Sequence, residues 1–148
     1  MKAATTVVVA LLSLTSPAFA QQGQGGGQPG AQFIQNWDLS GNGHVSRADF
    51  LQRRDDIFRM FDADENDSLG EADLQAIADH LAAEENQRGH ATGGRGPGLI
   101  IHEAMTLQFN DTDGDGAISR AEFAESSVRV FGMLDANGDD KIDSADFR

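Results

Sequence analysis

Cysteine is absent from the 148 residues, which excludes disulfides, thiol nucleophiles, Cys-ligated zinc and lipid attachment at Cys. Basic residues are scarce: 11 Lys and Arg stand against 24 Asp and Glu, a formal charge of −13 with neutral histidines. So acidic a chain is repelled by nucleic acid and by anionic membranes, and neither is expected as a partner. Apolar runs are short. The stretch Val7–Leu12 cannot span a bilayer, so no membrane anchor is expected. At this length there is room for one compact domain and not two large ones.

That apolar stretch has another reading. Lys2 precedes it, and Pro17 then Ala18-Phe19-Ala20 follow it in a small-x-small cleavage pattern. Residues 1–20 therefore read as a secretory signal peptide cut after Ala20, which predicts a periplasmic or secreted protein. Residues 21–31 (QQGQGGGQPGA) hold five glycines and a proline and read as a flexible tether. A second glycine-rich break, residues 86–98, reads as a linker between segments 32–85 and 99–148.

The acids are clustered. Four twelve-residue windows, 38–49, 62–73, 111–122 and 135–146, hold 17 of the 24 Asp and Glu. In register they read DLSGNGHVSRAD, DADENDSLGEAD, DTDGDGAISRAE and DANGDDKIDSAD, and are called loops 1 to 4. A hard dication takes 6–8 oxygens at about 2.3–2.6 Å, and short carboxylates alternating through a tight turn supply several of them. Position 6 wants a residue that tolerates a left-handed backbone, and position 12 closes the site from the start of the next helix.

On that basis the candidate ligands can be named. Loop 1 offers Asp38, Ser40, Asn42 and Asp49, and loop 2 offers Asp62, Asp64, Asn66 and Asp73. Loop 3 offers Asp111, Asp113, Asp115 and Glu122; loop 4 offers Asp135, Asn137, Asp139 and Asp146, with Asp143 at position 9. Position 7 contributes a backbone carbonyl, which adds His44, Ser68, Ala117 and Lys141. Ligand charge and a glycine at position 6 rank loop 3 first, loops 4 and 2 behind it, and loop 1 last. Aspartate at position 12 in three loops is one methylene shorter than glutamate, which leaves Mg²⁺ as a competitor for Ca²⁺.

Spacing then constrains the architecture. Loops 1 and 2 start 24 residues apart, as do loops 3 and 4, while loops 2 and 3 start 49 apart. An interval of 24 leaves about a dozen residues between neighbouring loops, one helix of roughly 20 Å at 1.5 Å per residue. Apolar residues four and one before three of the first aspartates (Ile34 and Trp37, Phe58 and Phe61, Phe131 and Leu134) lie on one helix face. Each such helix is shared by two loops, which then lie at its opposite ends and cannot pair. A hairpin of helices near Glu71–Glu85 and Gly98–Phe109 brings loop 2 to loop 3, leaving loop 1 for loop 4 or a second molecule. The apolar position 8 (Val45, Leu69, Ile118, Ile142) forms a short β-bridge between paired loops. The fold class expected is all-α, with four helix-loop-helix motifs.

These loops resemble those of the EF-hand superfamily, loop 3 in every position. The signal peptide and the 24-residue interval are similar to those of small periplasmic EF-hand proteins, including the lanmodulin-type lanthanide binders, and the short repeats resemble dockerin modules. Lanmodulin loops carry proline at position 2, where this chain has Leu39, Ala63, Thr112 and Ala136. The resemblance implies Ca²⁺ binding, with a lanthanide or a calcium-dependent protein-interaction role as alternatives and a protein partner in the sensor case. Folding is expected to be linked to metal, because thirteen liganding carboxylates repel one another until a cation neutralises them. Nothing indicates catalysis. His44, His80, His90 and His102 lack metalloprotease spacing, and Ser126-Ser127 has no recognisable base.

Overall fold

A computed structural model describes residues 30–88 and 96–148. The expected signal peptide, most of the tether, the centre of the linker and His90 lie outside the described residues. Among the described residues, six helices and four two-residue strands follow one another. They are α1 (Ala31–Trp37), β1 (Val45–Ser46), α2 (Arg47–Phe61), β2 (Ser68–Leu69) and α3 (Glu71–Arg88). After the linker come α4 (Pro97–Glu103), α5 (Leu107–Asn110), β3 (Ile118–Ser119), α6 (Arg120–Leu134) and β4 (Lys141–Ile142). Helix thus enters the stretch read as tether at Ala31, and the stretch read as linker from both sides.

Two helices organise everything else. α2 begins inside loop 1 and ends at Phe61, one residue before loop 2; α6 runs in the same way from loop 3 to Leu134, one residue before loop 4. Each is a single shared helix of 15 residues, about 22 Å long. The loops pair across the chain's halves. Leu69 faces Ile118 in an antiparallel ladder joining loops 2 and 3, and Val45 faces Ile142 in a second ladder joining loops 1 and 4 within the same molecule.

This arrangement has an internal pseudo-two-fold. Adding 73 to a residue number carries loop 1 onto loop 3, loop 2 onto loop 4, and SRADF at 46–50 onto SRAEF at 119–123. Side-chain contacts obey the same rule. Phe50 meets Phe131 with ring centroids 5.6 Å apart, and its equivalent Phe123 meets Phe58 at 5.3 Å. Two apolar clusters result, one around each ladder. The first gathers Phe33, Trp37, Val45, Phe50, Val130, Phe131, Leu134 and Ile142; the second gathers Phe58, Leu69, Ile77, Met105, Ile118 and Phe123.

One expected helix is divided. The segment Gly98–Phe109 breaks at Ala104–Thr106 into α4 and α5. The break is held from inside the core: Asn110 Nδ2 donates to the carbonyls of Ala104 at 3.0 Å and Thr106 at 2.7 Å. A side chain that bonds nearby carbonyls competes with continuous helix.

The two aromatic pairs should be equally important. Phe50→Ala and Phe123→Ala are each expected to cost about 3–5 kcal/mol, and Met60→Ala, exposed on α2, less than about 0.5 kcal/mol. Urea unfolding in excess Ca²⁺ measures this; costs below about 1 kcal/mol at both phenylalanines would contradict the core described.

Candidate metal centre

The four loops close in the same way. Each first-position aspartate accepts the N–H of the sixth residue through Oδ2: Gly43 to Asp38 at 2.8 Å, Asp67 to Asp62 at 3.0 Å, Gly116 to Asp111 at 3.1 Å and Asp140 to Asp135 at 3.0 Å. The sixth residue is left-handed in every case, with φ of 89°, 61°, 86° and 69° in loop order. Glycine adopts that conformation freely, whereas an aspartate is disfavoured by about 1 kcal/mol.

Loops 2 and 4 hold their left-handed aspartates with an arginine from the paired loop. Arg120 Nη1 donates to Asp67 Oδ1 at 2.8 Å, and the equivalent Arg47 Nε donates to Asp140 Oδ1 at 2.9 Å. Arg120 also reaches Asp55 on α2 at 2.7 Å, and Asp67 and then Asp55 raise its pKa further above an already high value. Sequence reasoning missed this cross-loop pairing. Its signal was arginine at position 10 of loops 1 and 3 opposite aspartate at position 6 of loops 2 and 4.

Position 12 carries a double duty. Ser119 and Glu122 form a capping box at the start of α6: the Glu122 N–H donates to Ser119 Oγ at 3.2 Å, and the Ser119 N–H to Glu122 Oε2 at 2.9 Å. The other oxygen of Glu122 spans the loop, accepting from Thr112 N–H at 2.8 Å and Thr112 Oγ1 at 2.9 Å. The backbone N–H groups of Ser119 and Thr112 lower its pKa to about 2, so Glu122 is ionised throughout the physiological range. Ser46 and Asp49 build the same box at α2, where Asp49 also accepts from Ser40 Oγ at 3.0 Å. Ser46 foremost, through its side chain, keeps the Asp49 carboxyl below its ordinary pKa, and the Gly43 N–H does the same for Asp38. In loops 2 and 4 the closing aspartates reach back too, Asp73 to Ala63 N–H at 3.5 Å and Asp146 to Asn137 N–H at 3.2 Å.

Loop 3 differs in where its carboxylates converge. Asp111, Asp113 and Asp115 each offer an oxygen, and the three oxygens lie within 4.8 Å of one another. Oxygens bound to one Ca²⁺ at about 2.3–2.6 Å are at most about 5 Å apart, so the donor set fits such an ion. Among the described residues no other group of His, Asp and Glu side chains meets this spacing. Ala117 follows in register, its N–H on Asp115 Oδ1 at 2.9 Å.

The remaining predicted ligands are arranged differently. In loop 4, Lys141 Nζ lies 3.1 Å from Asp139 and 2.9 Å from Asp143, and Asp143 first and then Asp139 raise its pKa. Asp143 accepts foremost from Ala145 N–H at 2.7 Å, so position 9 serves the turn as well. In loop 2, Asn66 Nδ2 donates to Asp64 at 2.8 Å, while the Ser68 N–H donates to Asn66 Oδ1 at 2.8 Å. In loop 1 the His44 N–H donates to Asn42 Oδ1 at 3.2 Å.

Fold and site together define a helix-loop-helix whose acidic loop presents converging carboxylates to a cation. Residues 103–125, from the end of α4 through loop 3 into α6, match the family model described as EF hand. Comparison with curated proteins and with solved structures gives no match.

Ser119→Ala removes one half of the loop 3 capping box. It is expected to cost about 1 kcal/mol of stability by urea unfolding in chelator; a change below about 0.2 kcal/mol would show that the cap is not formed in solution.

Proposed function

We propose that this chain is an exported EF-hand protein that binds Ca²⁺, with loop 3 as its tightest site and loops 4, 2 and 1 as weaker ones. The observation that carries the proposal is the convergence of Asp111, Asp113 and Asp115 inside the stretch that matches the EF hand. Loop 3 also has glycine at position 6 and a glutamate at position 12 whose side chain spans the loop. A bound dication would relieve repulsion among these carboxylates, so metal uptake and stability rise together. The leader read in residues 1–20 supports a role outside the cytoplasm.

A lanthanide is the second reading, favoured by one feature. α2 and α6 are each shared by two loops, the arrangement expected from the 24-residue interval of lanmodulin-type proteins. A trivalent ion would gain more than Ca²⁺ from the same carboxylates.

Metal-stripped protein from Gln21 to Arg148 should gain helicity and change Trp37 emission on titration with micromolar Ca²⁺. Trp37 reports packing, since it stacks on Phe50 at 4.9 Å beside loop 1. Glu122→Gln should weaken the tightest step by about tenfold or more, while Asp49→Ala changes it little. An unchanged curve for Glu122→Gln would remove loop 3 from first rank. A response to La³⁺ alone, with none at millimolar Ca²⁺, would replace calcium by a rare earth.

A further inference from the structure

Arg54 is a fully buried arginine that forms no ion pair with any described residue. It sits on α2 where that helix crosses α6, and among the described residues no carboxylate lies within ion-pair distance of it. Its partners are neutral: Nε donates to Ser127 Oγ at 3.0 Å, Nη2 to the Ala104 carbonyl at 3.0 Å, and Nη1 to Met105 Sδ at 3.2 Å. The guanidinium carbon stands 3.9 Å from the centre of the Phe123 ring. Burial alone lowers its pKa to about 9. Burying an unpaired cation is costly, and an apolar residue of similar volume generally serves a core as well or better. The arginine therefore calls for a reason other than packing.

Its acceptors supply one. The Ala104 carbonyl, freed by the break between α4 and α5, accepts from Arg54 and also from Asn110 Nδ2 at 3.0 Å. Asn110 is fully buried, and its Oδ1 accepts from Ser126 Oγ on α6. The next residue is Asp111, the first of loop 3. A continuous polar chain thus runs from α2 through Ala104 and Asn110 to the entrance of the loop whose carboxylates converge. The pseudo-two-fold exposes what is special about it. Asn110 is equivalent to Trp37, which enters loop 1 by stacking on Phe33 and Phe50. Arg54 is equivalent to Ser127, its own partner, so the chain exists on the loop 3 side alone.

We infer that Arg54 is a positioning residue for the loop 3 cation site: from α2 it fixes the Ala104 carbonyl and, through Asn110, the start of the loop. The inference rests on the cation-binding reading above. Affinity in such loops depends on rigidity as well as charge, and residues that orient ligands from behind are worth about 10–100-fold in metal affinity. Methionine at this position fills space and donates nothing. Lysine brings a charge but no planar fork able to serve Ser127 and Ala104 together.

The test is Ca²⁺ titration calorimetry and chelator-driven release on the full chain, for the parent, Arg54→Met, Arg54→Lys and Glu122→Gln, beside urea unfolding in chelator. Arg54→Met should weaken the step lost in Glu122→Gln by about tenfold and speed its release, with an unfolding midpoint equal to or above the parent's. Arg54→Lys should not restore affinity. Should Arg54→Met fail to fold, Ser127→Ala, which removes one acceptor, is expected to weaken the same step by about two- to fivefold. An affinity within twofold of the parent in the folded variant overturns the inference while leaving the loop 3 site standing, and so does a loss that only tracks a lowered midpoint. A parent that takes up no Ca²⁺ and matches Glu122→Gln overturns both.

Discussion

A helix cannot bring its own two ends together, and this constraint shapes the whole molecule. α2 and α6 each separate a pair of acidic loops by about 22 Å, whereas strands in a ladder lie about 4.8 Å apart. Adjacent loops along the chain are therefore unable to share a ladder, and each must find its partner in the other half. Crossing α2 over α6 satisfies both needs at once, placing loop 1 beside loop 4 and loop 2 beside loop 3. The crossed aromatic pairs, Phe50 with Phe131 and Phe58 with Phe123, follow from that crossing. So do the two apolar clusters, each centred on a ladder residue pair with no exposure to solvent.

The loops face a second demand, since each holds several like charges at close range. Backbone N–H groups do part of the neutralising: Asp38 accepts from Gly41, Asn42 and Gly43, and Asp135 from Gly138, Asp139 and Asp140. Position 12 carboxylates add helix capping to this, which sets the axis of α2 and α6 at the point where they leave the loops. Paired arginines bring further positive charge, Arg47 to loop 4 and Arg120 to loop 2. These contacts are exposed and each contributes little to stability. Their value is geometric, because they hold a left-handed aspartate where glycine is missing.

How much of this was legible depended on the range of the interaction. Loop register, apolar flanks and the shared helices follow from local pattern, and the pairing of loop 2 with loop 3 follows from counting residues between loops, which left loop 1 for loop 4 or a second molecule. The break at Ala104–Thr106 carries no proline or glycine, and it arises from Asn110 folding back on two carbonyls. Nothing local marks Arg54 as buried either. It stands in the charged run Arg53-Arg54-Asp55-Asp56, which reads as a solvated helix face, and only the crossing of α6 encloses it. The convergence of three oxygens in loop 3 is visible only in the folded chain, since loop 4 has one acid more but sets Lys141 between two of them.

The helices and the loops also interact through their dipoles. In every loop the first aspartate caps the C-terminal end of the preceding helix, with Asp62 N–H on Phe58 O and Asp135 N–H on Phe131 O, both at 2.9 Å. A helix C-terminus carries partial negative charge that disfavours an anionic side chain there, and the N–H groups of the loop oppose this effect. In loops 1 and 3 the carboxylate at position 12 sits at the opposite kind of end, the N-terminus of α2 or α6, where negative charge is favoured. Loops 1 and 3 therefore place their first and last carboxylates at helix ends of opposite dipole, with backbone N–H groups compensating the first aspartate. A cation between them would remove the unfavourable term at the entering helix while leaving the capping box of the exiting helix in place. Because α2 and α6 each have one end of both kinds, filling either of their loops would stabilise the same helix, and the crossing joins those gains into one core.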